Sequence, residues 1–198
     1  MPLIGLTGGI ATGKSLVADY LRRKGIHIVD ADQLAHEVVR QGEPAWQEVV
    51  DAFGREFLLP DGGLDREALG RLIFSVPEQR KKLEGIIHPR VFEAAEKMLR
   101  PLLTTDPERV VVFSVPLLFE SGFAKQVDRI VVVYADEATQ TQRLMQRNGL
   151  TKEEALQRIH SQMPMDEKIK RADFVIDNTS TPEAVYRQVD ALLEQFLS

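Results

Sequence analysis

The chain of 198 residues has no cysteine. Disulfide staples and thiolate metal sites are excluded, and a reducing, cytoplasmic setting is the expected location. Basic residues are not in surplus either: 25 Lys and Arg stand against 30 Asp and Glu, for a formal net charge of -5. Nucleic acid is therefore not an expected partner, because no excess of cations exists to displace its counterions. A local basic site for a phosphorylated small molecule stays compatible with that balance. Long apolar runs are missing as well. The N-terminus, MPLIGLTGGIATGKS, lacks a basic start and reaches its glycines almost at once. It reads as neither a signal peptide nor a membrane span, and no membrane association is expected. There is no internal repeat, low-complexity tract or linker rich in Gly, Ser and Pro. What is there is 43% hydrophobic and 28% charged, the balance of a soluble globular chain forming one unit with insertions.

Short apolar runs alternate with helical patterns. Strands are expected at Pro2–Thr7, His27–Asp30, Arg109–Val115, Arg129–Tyr134 and, more weakly, Asp173–Asp177. Continuous apolar strands separated by helices indicate an α/β fold with a parallel sheet covered on both faces. Lys14–Lys24 reads as a helix, with Leu16, Val17, Tyr20 and Leu21 on one face and Gly25 as its stop. The stretch from Ala31 to Glu108 is far longer than a crossover helix needs. It holds one pattern with Leu34, Ala35, Val38 and Val39, and another with Trp46, Val49, Val50 and Phe53. A third is capped by Asp65, and a fourth has Pro89 in its first turn. A second insertion, between the fourth and fifth strands, contains the capping-box pattern Thr151 with Glu154. The closing helix from Thr181–Pro182 buries Val185, Val189, Leu192, Leu193 and Phe196.

Gly8-Gly9-Ile10-Ala11-Thr12-Gly13-Lys14-Ser15 matches G-x-x-x-x-G-K-[ST] and sits between a strand and a helix. Gly8 and Gly13 allow backbone conformations that side chains forbid. The loop can then aim its N–H groups at phosphates, aided by the helix dipole. Lys14 can reach the β- and γ-phosphates, and Ser15 can coordinate Mg²⁺. The motif indicates a nucleoside triphosphate without separating kinases, GTPases and ATPases. No guanine-reading Asn-Lys-x-Asp is present: Asn148 and Asn178 are followed by Gly and Thr. The Asp-x-x-Gly stretch Asp51–Gly54 falls on an amphipathic helix.

Asp30 and Asp32 follow the second strand at the edge where open parallel sheets bind ligands. Asp32 can orient a hydroxyl and accept its proton, and Asp30 can support a metal shell. Helix capping is the competing role for such a pair. The third strand runs into Ser114-Val115-Pro116 without a Walker B aspartate, so metal binding is left to Ser15, phosphates, water and these acids.

Four stretches, GLTGGIATGKS (5–15), VDADQLAHEVV (29–39), IIHPRV (86–91) and VPLLFESG (115–122), resemble the dephospho-coenzyme A kinase family, as do QRLMQRNGLTKEEALQRIHSQM (142–163) and ADFVIDN (172–178). The resemblance spans nearly the whole chain in order. It implies a P-loop kinase fold, a five-stranded parallel sheet of order 2-3-1-4-5 flanked by helices. It also implies an ATP-dependent phosphotransferase acting on the ribose 3′-hydroxyl of dephospho-coenzyme A, the final step of coenzyme A synthesis. The nucleotide core would be 1–30, 109–141 and 172–198, the helical acceptor domain 31–108, and the lid 142–171.

Site residues follow from the same resemblance. Asp32 would be the catalytic base, with Lys14, Arg143 and Arg147 acting on the transferring phosphoryl group. Gly8, Gly9, Ile10, Ala11, Thr12, Gly13, Lys14, Ser15, Leu16 and Asn178 would bind ATP. Asp32, His88, Arg90, Leu117, Leu118, Phe119 and Glu120 would bind the acceptor, and Ser15 would meet Mg²⁺. Leu16 departs from the Thr or Ser expected there, which implies weaker ATP binding rather than lost activity. The chain is expected to be a monomer or a weak homo-oligomer. A shikimate- or nucleotide-type kinase and a non-catalytic ATP-sensing module are the alternative readings.

Overall fold

The computed structural model describes residues 3–105 and 110–197. Pro2 and Arg109, expected to open the first and third strands, lie outside the described residues, as do 106–108 of the expected insert and Ser198. The chain divides into two compact units, residues 1–30 with 101–198, and residues 31–100.

In the first unit, β1 (Leu3–Gly8), β2 (His27–Asp30), β3 (Val111–Ser114), β4 (Arg129–Tyr134) and β5 (Phe174–Asp177) form one sheet of order β2-β3-β1-β4-β5. Every pairing is parallel. β1 and β3 are buried along their whole length, which is why they read as unbroken apolar runs rather than alternating ones. β5 is an edge strand with only Ile176 buried, and its sequence signal is correspondingly weak.

One face of the sheet carries α1 (Lys14–Arg23) and α9 (Pro182–Leu197). Ile4, Leu6, Val112, Val131, Val133 and Ile176 pack there against Val17, Leu21, Val185, Val189 and Leu192. Each such side chain contributes about 1.5–3 kcal/mol on burial. On the other face Gly5 makes room for the chain that follows β3: a Cβ at Gly5 would stand 2.9 Å from Leu118 Cδ2. The connections leaving β1 and β3 run in opposite directions across the sheet. Their C-terminal ends therefore form the switch point at which open α/β sheets bind ligands.

Three helices follow β4: α6 (Glu137–Asn148), α7 (Lys152–His160) and α8 (Met165–Lys170). Asp136 caps α6 by accepting from Thr139 N at 2.7 Å. Gly149 ends it with φ 65°. The Thr151–Glu154 capping box on α7 is complete, at 3.2 and 2.8 Å. Residues 142–148 are thus the second half of a helix that starts beside the sheet.

The second unit is helical: α2 (Ala31–Glu37), α3 (Pro44–Phe53), α4 (Arg66–Ser75) and α5 (Pro77–Thr105), whose last turn is grouped with the first unit. Val39, Ala45, Val49, Val50, Phe53, Leu64, Leu69 and Leu83 form its core. Trp46 Nε1 donates to the Gly62 carbonyl at 3.0 Å, and Asp65 caps α4 through Ala68 N at 2.9 Å. The expectation that Pro89 opens a helix is corrected, because α5 runs unbroken through it. Proline there removes the bond to the carbonyl four residues back and crowds it. That residue is Gly85, around which a side chain would meet nothing within 4 Å.

Candidate functional site

The loop between β1 and α1 is shaped by its glycines and held by side chains from elsewhere. Gly13 caps α1 at φ 92°, and Ala11, at φ 59°, is the one non-glycine with positive φ among the described residues. Side chains adopt that region at a cost on the order of 1 kcal/mol, and such strain gathers at functional loops. A Cβ at Gly8 would stand 2.7 Å from the Val133 carbonyl, so β4 can approach β1 only with glycine there.

Asn178, 4% exposed, donates from Nδ2 to the Thr12 carbonyl at 2.7 Å. Any side chain at Gly13 would collide with that amide. Arg143 Nη2 donates to the Asn178 carbonyl at 2.8 Å and Nη1 to Thr12 O at 3.4 Å. Arg143 is therefore half-buried against the back of the loop, whereas Arg147 is exposed and bonds Asn148 Oδ1 at 2.9 Å. Asn178 spends its amide on the loop backbone. Thr12 is buried, and its hydroxyl donates to Gly9 O at 2.9 Å. Leu16 packs on the core beside α9.

In the first turn of α1 the backbone N–H groups of Lys14 and Ser15 have no intrahelical acceptor, as at any helix start. With the helix dipole they make an anion site. Lys14 Nζ donates to the buried Ser114 Oγ at 2.6 Å. Ser114 is in register with Leu6 of β1 and with Asp30 of β2. The lysine is thereby held at the switch point by a neutral hydroxyl. Asp30 ends β2 with its carboxylate 3.8 Å from Arg22 Nη2. Thr7 Oγ1 donates to Pro116 O at 3.1 Å and fastens the turn that follows β3.

That turn carries the expected acceptor residues. Leu117 and Phe119 are half-buried, and the Arg171 guanidinium lies 5.9 Å from the Phe119 ring centre. Leu118 is corrected from pocket wall to core: it is 0% exposed and fills the space over Gly5, so it has no surface to offer a substrate. Glu120 accepts from Met163 N at 3.0 Å and lies 2.9 Å from Lys168 Nζ.

In the second unit, Asp32 is exposed in the first turn of α2. His88 is half-buried on α5. Arg90 on the same helix is paired with Glu48 and with Glu93. Its hydrogen bonds to Glu48 and then to Glu93 raise its pKa above the ordinary arginine value.

Ser114, Gln140, Gln162 and Lys168 escaped the sequence reading as functional side chains. Gln140 Nε2 donates to Ile10 O at 2.6 Å, and Gln162 Oε1 accepts from Ile10 N at 2.8 Å. Gln140 lies one turn before the buried Leu144, so a polar residue on the apolar stripe of a helix was the available signal. Lys168 lies in the charged run MDEKIK, where nothing distinguishes it.

The dephospho-CoA kinase family model matches residues 2–183. The dephospho-CoA kinase of Geobacillus kaustophilus is 48% identical over 195 residues, covering 98% of this chain and 96% of that protein. Among solved structures, a Thermus thermophilus protein superposes with a TM-score of 0.82 at 38% identity, covering 98% of this chain and 97% of that one. The dephospho-CoA kinase of Campylobacter jejuni does so with a TM-score of 0.73 at 26% identity, covering 98% and 96%. The loop, the sheet order and a match along almost the whole length coincide, and the chain belongs to the dephospho-CoA kinase family.

Proposed function

We propose that the chain transfers the γ-phosphate of ATP to the ribose 3′-hydroxyl of dephospho-coenzyme A, with the loop 8–15 holding the triphosphate. Family membership makes it a kinase of coenzyme A synthesis. The observation that carries the site assignment is Lys14, held at the switch point by Ser114 at the start of α1.

In this reading the N–H groups at the head of α1 and the Lys14 ammonium bind the β- and γ-phosphates. Arg143, bonded to the loop carbonyl of Thr12, adds positive charge behind it, and the exposed Arg147 is free to move with the lid. Transfer of this kind depends on positioning and charge rather than on covalent chemistry by the protein. Asp32 is the proposed base that takes the acceptor hydroxyl's proton. Its exposed carboxylate in the first turn of α2 supports that role. His88, Arg90, Leu117 and Phe119 are proposed to meet the acceptor, residues 31–108 to form its domain, and 142–171 the lid.

Magnesium fits the donors present. Among the described residues no group of three or more His, Cys, Asp or Glu could hold an ion. The exposed Ser15 hydroxyl in the first turn of α1 offers one oxygen, the remaining ligands being phosphate oxygens and water. That sparse, oxygen-only set suits Mg²⁺, which keeps several waters. When bound it would neutralise phosphate charge.

Among the described residues no helix is long and apolar enough to cross a membrane. The lack of cysteine supports a cytoplasmic site of action. Among the described residues the exposed large hydrophobics are Leu59, Met98 and Val175, which lie on three separate segments; that supports a monomer or a weakly associating chain.

The test is ADP production from ATP and Mg²⁺ with dephospho-coenzyme A, shikimate, nucleoside monophosphates or no acceptor. ADP forming with dephospho-coenzyme A alone is the expected result. Equal ADP without any acceptor would make this an ATPase or a sensor, and ADP with shikimate would move it to another kinase class.

A further inference from the structure

We infer that residues 162–168 form a clamp on the first half of the nucleotide loop, with Gln162 as a positioning residue and the buried Lys168–Glu120 pair as its anchor. The inference rests on the kinase reading of that loop. Both polar backbone groups of Ile10 are engaged by amide side chains: its N–H donates to Gln162 Oε1 at 2.8 Å, and its carbonyl accepts from Gln140 Nε2 at 2.6 Å. Gly9 is gripped too, since a Cβ there would stand 2.7 Å from Gln140 Nε2 and 2.8 Å from Met165 Sδ. The path of the loop at 9–10 is thus set by α6 and by the chain between α7 and α8.

That connecting chain needs its own anchor. Met163 N donates to Glu120 Oε1 at 3.0 Å, and Lys168 Nζ lies 2.9 Å from the same oxygen. Lys168 is 0% exposed, while the Glu120 side chain is 23% exposed. The contact is an ion pair whose angles fall short of a hydrogen bond, so no hydrogen bond reaches the buried Nζ among the described residues. A buried ammonium with one imperfect carboxylate partner costs more than an apolar side chain in its place. Stability alone therefore does not account for it. What the pair does is fix a direction. Met165 and Lys168 are three residues apart on α8 and share a face. The ammonium holds one end of that face on Glu120, and Met165 seats the other on Gly9.

A continuous path then runs from Lys168 through Glu120, Met163 and Gln162 to Ile10. It has two consequences. Ile10 N–H is committed to Gln162 and Thr12 N–H to the Gly9 carbonyl at 3.3 Å, so the grip on the triphosphate falls to the N–H groups of Ala11, Gly13, Lys14 and Ser15. Glu120 acts by positioning rather than as a wall of the acceptor site. A loop held in its working shape before the nucleotide arrives binds that nucleotide more tightly, because less ordering is left to do.

The experiment is a double-mutant cycle on the full chain with Gln162→Ala, Lys168→Met and both together. ADP affinity is measured by calorimetry, and kcat and KM are measured for each substrate. Each single variant should weaken ADP binding and raise the KM for ATP about tenfold, the loss of roughly one hydrogen bond. The KM for dephospho-coenzyme A should stay within about twofold. The double variant should be no worse than about the weaker single one, because both changes cut one path. ADP affinity within about twofold of the parent in Gln162→Ala, or losses that multiply to about a hundredfold, would overturn the clamp. Should Lys168→Met not fold, Glu120→Gln replaces it in the cycle with the same expected outcomes, as it keeps an acceptor for Met163 N–H and removes the charge. ADP binding needs no acceptor. A chain that shows this pattern yet transfers nothing to dephospho-coenzyme A would refute the kinase reading and leave the clamp standing.

Discussion

Lys14 Nζ donates to Ser114 Oγ at 2.6 Å, so a hydroxyl at the end of β3 orients the loop lysine without neutralising it. A carboxylate there would form an ion pair that competes with the phosphates for the ammonium. A serine gives direction and leaves the full charge to the ligand. Lys14→Met should lower kcat by at least about 10²-fold, the scale of losing one preorganised donor to developing charge, with little change in Tm. Ser114→Ala should act more mildly, raising the KM for ATP about three- to tenfold as the lysine loses its direction. Steady-state kinetics with thermal melts checks both, and an unimpaired Lys14→Met enzyme removes this lysine from the chemistry.

Leu118 separates packing from binding. The side chain is sealed over Gly5, so Leu118→Ala should open a cavity costing about 2–5 kcal/mol. For a chain of this size that is a fall in Tm of roughly 5–15 °C. The KM for the acceptor should stay within about twofold. A variant with unchanged Tm and a strongly raised acceptor KM would return Leu118 to the substrate surface.

The regular parts of the fold were plain in the residues. β2 and β4 have the bounds expected from their β-branched runs, and the caps at Asp65 and Thr151 are where side-chain chemistry put them. Local signals have local causes. Pro89 misled because a proline signal says only that the helix is perturbed there, and Gly85 one turn earlier lets α5 continue. Leu118 misled because a leucine in a turn looks the same whether the turn folds outward or under the sheet. The glycine-lysine loop was legible because its constraint lies in its own residues. What holds it was not: Asn178, Arg143, Gln140 and Gln162 reach it across sequence separations of 166, 131, 130 and 152 residues, which no local pattern records.

Asp136 supplies a pH test of the start of α6. Its carboxylate accepts from Thr139 N at 2.7 Å. That backbone hydrogen bond, with the Thr139 hydroxyl second, holds its pKa below the ordinary 3.8. A depressed folded-state pKa contributes stability that is present above the unfolded value and is lost as pH falls through the folded one. Asp136→Ala should therefore lower Tm at pH 7 by about 2–4 °C, and the gap to the parent should close below about pH 3.8. The other titrating groups are common to both proteins, so the difference between the two melting curves isolates this one. A gap that persists unchanged at pH 3 would mean that the charge on Asp136 plays no part in the cap.

Asp32 is the assignment on which the chemistry turns. It is an exposed acid in the first turn of α2, where the helix dipole favours a negative charge. Capping and catalysis therefore make the same demand on its identity but opposite demands on a variant. If Asp32 only steadies α2, Asp32→Asn keeps a side chain suited to a helix start, costs little stability, and leaves transfer intact. If it accepts the acceptor's proton, the amide cannot do so, and transfer falls by about 10²–10⁴-fold while Tm moves little. Asp30→Asn is the control: its carboxylate sits 3.8 Å from Arg22, and its loss should cost transfer far less. We expect the large loss at Asp32 alone, with ADP affinity unchanged, because the base acts on the acceptor and not on the nucleotide. Full-speed transfer by Asp32→Asn would leave capping as its only role and require another base.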